Sequence, residues 1–110
     1  MSSHLFIGED CWNCSSGTVG WALETIADNV TNPAVAAELR EFSSGLIFVE
    51  DFGRTHGAAA AEEIVQVIRT KLRPAALAEE KPEVREYLVP IVDELVEMAE
   101  RWRGFEVEAG

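Results

Sequence analysis

Cations are scarce in this chain. Nine Lys and Arg stand against twenty Asp and Glu, a formal net charge of −11 on 110 residues. A surface so acidic repels nucleic acid and anionic membranes and draws in cationic proteins, at rates that fall as salt rises. Cysteine is nearly as sparse. Cys11 and Cys14 are too few to frame a disulfide-stapled extracellular domain, and a reducing compartment keeps both as thiols. No basic start followed by an apolar stretch of about 7–15 residues opens the chain, and no apolar run approaches ~18 residues, so neither a secretory signal nor a membrane span is expected. Also missing are a Gly-rich phosphate loop, a basic patch interleaved with aromatics and any internal repeat. These absences set aside nucleotide and nucleic-acid binding. They lead to the expectation of a cytoplasmic protein without cofactor, nucleic-acid partner or membrane partner.

What is present suffices for one folded domain over residues 1–110, since Leu, Ile, Val and Phe recur at regular spacing in a chain that is 47% hydrophobic. His4-Leu5-Phe6-Ile7-Gly8 has the length of a short strand, and the turn formers from Glu9 to Gly17 predict a turn in which Ser15 or Ser16 caps a helix. Val19, Ala22, Leu23, Ile26, Ala27 and Val30 keep helical spacing for that first helix. Asn32-Pro33 starts a second helix with Val35, Leu39 and Phe42 on one face. Leu46-Ile47-Phe48-Val49 lacks polar alternation and predicts a strand buried on both faces, after which residues 50–54 return to solvent. A third helix is predicted from His56 or Gly57 to Leu72, ended by Pro74, with Arg69, Lys71 and Arg73 favouring its carboxyl end. The last helix carries a seam of Val84, Leu88, Ile91, Leu95, Met98 and Trp102, opened by Pro82, kinked at Pro90 and closed by Gly104. Phe105-Glu106-Val107-Glu108 alternates as a short edge strand. The fold class expected is mainly α, about four helices with two or three short strands, a small single-domain α+β protein.

Chemistry has few footholds. Cys11-Trp12-Asn13-Cys14 lies between a strand and a helix, the place where a helix amino terminus lowers a thiol pKa, yet no proline introduces a later strand beside it as a thioredoxin-like site requires. His4, Cys11, Cys14 and His56 compose a Cys2His2 set for zinc, although the two histidines are single and distant. Cys14, His56 and Asp51 make a nucleophile trio without a local signature, and the carboxylates Asp93, Glu94, Glu97 and Glu100 crowd a face that should be wet. No catalytic residue is assigned, and the chain is expected not to be an enzyme.

The acids are unevenly spread. Residues 1–53 hold eight of them (Glu9, Asp10, Glu24, Asp28, Glu38, Glu41, Glu50 and Asp51) against Arg40 alone, a net of −7. If the two short strands pair in parallel, Glu9-Asp10 and Glu50-Asp51 leave the same end of the sheet, beside Trp12 and Phe52 as apolar anchors. Glu9, Asp10, Trp12, Glu50, Asp51 and Phe52 are therefore the expected partner-binding residues. The function expected is that of a small acidic inhibitor, resembling an immunity protein or antitoxin only in function, which occludes a basic partner such as a toxin domain. Two alternatives stand beside it. One is a structural module whose last helix packs its seam on a second copy as a homodimer, and the other a zinc or thiol protein using Cys11 and Cys14.

Overall fold

The structure, a computed structural model, describes residues 2–104. Ser2–Ile7 (β1) alternates strictly, with Ser3, Leu5 and Ile7 buried while His4 and Phe6 turn to the opposite face. Asp10–Ser15 (β2) runs back antiparallel to it, joined by Gly8 and Glu9. Gly8 has φ 59°, which a side chain adopts only with strain and which suits the first position of a two-residue hairpin loop. The segment expected as a turn is thus mostly strand. Burial of Trp12, 1% exposed, holds it there, and its indole Nε1 donates to the Ile91 carbonyl at 3.0 Å. That packing outweighs the turn preference of Asn13 and Ser15.

Ser16–Asn29 (α1) follows, with Ser15 Oγ accepting from the Thr18 amide at 3.2 Å as its cap. Pro33–Arg40 (α2) opens as expected, with Pro33 in its first turn and Asn32 Oδ1 accepting from Ala34 and Val35. These two helices form the crossover that a parallel strand needs. Leu46–Phe48 (β3) then pairs parallel to β1, giving the order β2-β1-β3 with His4 opposite Leu46, Leu5 opposite Ile47 and Phe6 opposite Phe48.

β3 departs from the expectation of a strand buried on both faces. It is an edge strand whose Leu46 is 59% and Phe48 38% exposed. The apolar run breaks after Phe48, and Val49–His56 (α3) is a fifth helix in place of a return to solvent. Val49, Phe52 and Gly53 face inward at helical spacing, Glu50 and Asp51 sit in the first turn and Arg54 and His56 in the last, a distribution that suits the helix dipole. Read as part of the apolar run, Val49 hid this period.

Gly57 links α3 to Ala58–Leu77 (α4), whose Ala61, Ile64, Val65, Ile68, Leu72 and Ala76 are the spine of the core. Pro74 does not end α4. It lies inside the last turn and a half, which continues because Ala76 is fully buried. Arg69 is accordingly not near the end of its own helix. Its guanidinium caps the next one, donating to the Ala99 and Trp102 carbonyls at 2.6 and 3.2 Å. Pro82–Arg101 (α5) runs through Pro90 as one helix and buries Leu88, Val92, Leu95 and Ala99, with Ile91 and Met98 half-buried on the flank. The buried stripe is thus rotated from the expected seam, and α5 packs on α4. The helix stops at Trp102, and Gly104 follows at φ 112°. The strand expected from Phe105 to Glu108 lies outside the described residues. Among the described residues no helix is long and apolar enough to cross a membrane.

One buried polar side chain fixes the register of the sheet. Ser3 is fully buried, and its Oγ accepts from the Gly45 amide at 3.1 Å and shares a 2.7 Å hydrogen bond with Ser16 Oγ. Gly45, at φ 106°, returns its carbonyl to the His4 amide at 2.9 Å. Removing the hydroxyl takes the partner from the amide of Gly45, an exposed residue that water can reach, so the cost is that of one net hydrogen bond, about 0.5–1.5 kcal/mol. Ser3→Ala is therefore expected to lower the unfolding free energy by about 0.5–1.5 kcal/mol in urea titration, with amide shift changes centred on Gly45 to Phe48.

Candidate partner-binding surface

The alternation of β1 and its pairing with β3 place His4, Phe6, Leu46 and Phe48 on one face of the sheet, opposite the core. The Phe6 and Phe48 rings stack, with centroids 4.5 Å apart and planes 11° from parallel. His4 leans on Phe6 at 6.3 Å and its Nδ1 lies 3.6 Å from Cys11 Sγ. His4 and Phe6 are half-buried and Leu46, Phe48 and Cys11 exposed, so this is an open, largely apolar sheet face.

Beside β3 that face passes into a groove of about 310 Å³, with Phe42, Ile47 and Phe52 in its lining and Glu38, Glu41 and Asp51 among its bordering residues. Glu38 lies 3.4 Å from Nε2 of the half-buried His56, and Asp51 pairs with Arg54 at 2.7 Å, at exposed positions where an ion pair contributes about 0–1 kcal/mol and exchanges readily. Glu41 has no ion pair among the described residues.

A second concavity, about 530 Å³, opens at the end of the hairpin and is lined by Gly8, Glu9, Asp10, Glu50, Arg101, Trp102 and Arg103. Parallel pairing brings Glu9, Asp10 and Glu50 together there. Two arginines share the site, and Arg101 reaches Asp10 at 3.3 Å. This cleft is of mixed charge.

The six residues expected to bind a partner are thus divided. Glu9, Asp10 and Glu50 line the mixed cleft, whereas Asp51 borders the groove beside β3. Trp12 and Phe52, 1% and 4% exposed, belong to the core, and an anchor for a partner has to be accessible. Leu46 and Phe48 are exposed apolar residues on this face, as Leu77 and Tyr87 are elsewhere, and they were overlooked because a run without polar alternation suggests burial on both faces. Period-two spacing of Leu46 and Phe48 was the available signal.

The cysteine motif lies along β2, which turns Cys11 outward and Cys14 toward α5, so the two thiols do not face each other. His4 lies beside Cys11, but Cys14 is on the other face and His56 is in α3 beside Glu38. Among the described residues no group of three or more His, Cys, Asp and Glu is placed to hold a metal ion. The proposed nucleophile trio is separated too, with Cys14 on β2 and Asp51 and His56 on α3. Burial, and secondarily the Glu94 carboxylate, push the Cys14 thiol up from 9.0 to about 11. Of the expected α5 seam, Leu88 and Leu95 are buried in the core, and Val84, Ile91, Met98 and Trp102 are partly buried against it. In comparison with known proteins, no family model, curated protein or solved structure matches the chain.

Two outcomes follow from these placements. Trp12→Ala is expected to cost about 3–5 kcal/mol of stability in denaturant titration, as a core truncation does; a cost below about 1 kcal/mol contradicts its burial. In alkylation at about pH 8, Cys14 holds about a hundredfold less thiolate than it would at its ordinary 9.0 and is half-buried, so the exposed Cys11 labels first by mass spectrometry. The folded state holds the Cys14 proton more tightly than the unfolded chain. Its contribution to stability is full below pH 9.0 and is lost as pH rises toward 11.

Proposed function

We propose that this protein is a small non-enzymatic binding module that covers a basic surface of another protein, in the manner of an immunity-type or antitoxin-type inhibitor. The observation that carries this reading is the exposed Phe6–Phe48 stack with Leu46, continuous with a groove bordered by Glu38, Glu41 and Asp51. Burying the apolar face under a partner removes it from water at about 25 cal/mol per Å² of apolar area, a short-range gain that is indifferent to charge sign. The carboxylates supply the selection. They accelerate encounter with a cationic surface and repel anionic ones, including a second copy of a chain at net −11. Apolar centre and charged rim together have the anatomy of a protein interface.

This reading relocates the binding residues from those expected of the sequence. Glu38, Glu41, Leu46, Phe48 and Asp51 do the work, while Trp12 and Phe52 support the surface from beneath. The test is capture on immobilised wild-type protein and on a Leu46→Ser/Phe48→Ser variant whose folding is verified by circular dichroism. The expected result is a basic protein retained by wild type and lost by the variant, with an association rate that falls at least about tenfold between about 50 and about 500 mM NaCl. A neutral or acidic partner, or equal retention by the variant, contradicts the proposal.

A further inference from the structure

The open side of β3 raises the question of how a partner would engage it. In a parallel ladder the backbone groups of successive residues point alternately to the two neighbours. Gly45 O receives the His4 amide, so Gly45 and Ile47 face β1 and the amide edges of Leu46 and Phe48 face away from it. No strand lies on that side among the described residues. Sheets usually protect such an edge with lysine, proline or a bulge. Here Ser43-Ser44-Gly45-Leu46-Ile47-Phe48 contains neither lysine nor proline, and the charged residues lining the groove beside it are Glu38, Glu41 and Asp51. That protection depends on sign. It opposes addition of this chain's own β3, which would bring two acidic rims together, and favours a basic strand.

Resting on the binding reading above, we infer that the partner engages by strand addition: an extended segment alternating apolar and basic residues pairs with the outer edge of β3. Its apolar side chains extend the Leu46 and Phe48 face, and its basic ones turn toward the helices, where Glu38, Glu41 and Asp51 border the groove. Of the groups already beside these acids, Arg54 holds Asp51 in a weak exposed pair that an incoming arginine can replace, and the His56 ring lies 3.4 Å from Glu38.

The probe is the synthetic peptide acetyl-Val-Arg-Val-Arg-Val-Arg-Val-amide, titrated into isotope-labelled full-length protein. Two derivatives carry backbone N-methyl groups, one on the valines and the other on the internal arginines, and a third replaces arginine by glutamate. An added strand turns only one of its two edges to β3. The expected result is that the parent peptide shifts the Leu46 and Phe48 amides, one N-methyl pattern weakens binding at least about tenfold, the other leaves it within about threefold, and the acidic peptide does not bind. Binding by both N-methyl patterns alike, or no shift by the parent up to about 5 mM, overturns strand addition. In either case the capture experiment decides the broader reading independently, because it requires only that Leu46 and Phe48 be part of the interface.

Discussion

The hydroxyl of Ser3 occupies a position on which the described surface depends. It is buried, it holds the Gly45 amide, and Gly45 in turn receives the His4 amide. Those bonds set where β3 begins along β1. A parallel strand shifted by one residue would exchange its two faces, sending Leu46 and Phe48 inward and Ile47 outward. With the register as it is, Phe6 lies over Phe48 and the aromatic pair is left on the open side. The Ser3 contact thus acts with the β1–β3 ladder to fix which apolar residues meet solvent.

The acidic excess acquires a different meaning once its distribution is known. At the hairpin end the carboxylates share their cleft with Arg101 and Arg103, and on α1 Glu24 and Asp28 are bridged by Arg40 at 3.2 and 2.6 Å. Asp93 pairs with Arg73 at 3.1 Å. Such pairs moderate the local potential without adding much stability. Beside β3 three carboxylates stand near exposed apolar residues, and among the described residues Arg54 is the one Lys or Arg that pairs with them. Charge alone is a property of many soluble surfaces. Charge alongside an uncovered stacked pair is a more specific arrangement.

Local signals in the sequence were sufficient for some elements and not for others. The Asn32-Pro33 start of α2, the periodicity of α1 and the continuity of α5 through Pro90 rest on neighbouring residues, and the structure contains them as expected. The second strand and α3 rest on distant contacts. β2 exists because Trp12 reaches the Ile91 carbonyl seventy-nine residues away, and α3 because Val49 and Phe52 pack inward next to β1 and α4. Pro74 was a misleading stop signal for the same reason, since burial of Ala76 favours continuing the helix. For the candidate site, parallel pairing was available as a condition and does bring Glu9, Asp10 and Glu50 into one cleft. Which aromatic faces water was not available, because burial of Trp12 and exposure of Phe48 are decided by elements remote in sequence.

The central claim is that β1 and β3 pair so as to leave Phe6, Leu46 and Phe48 as an open face in the free protein. Proton NMR with a soluble gadolinium chelate tests this directly, by comparing the relaxation of Phe48 and Leu46 with that of Leu5 and Trp12. The account predicts strong relaxation of the first two, little of the second two, and nuclear Overhauser contacts between the Phe6 and Phe48 rings. Phe48 and Leu46 protected to the level of Leu5, or rings without mutual contacts, would contradict it.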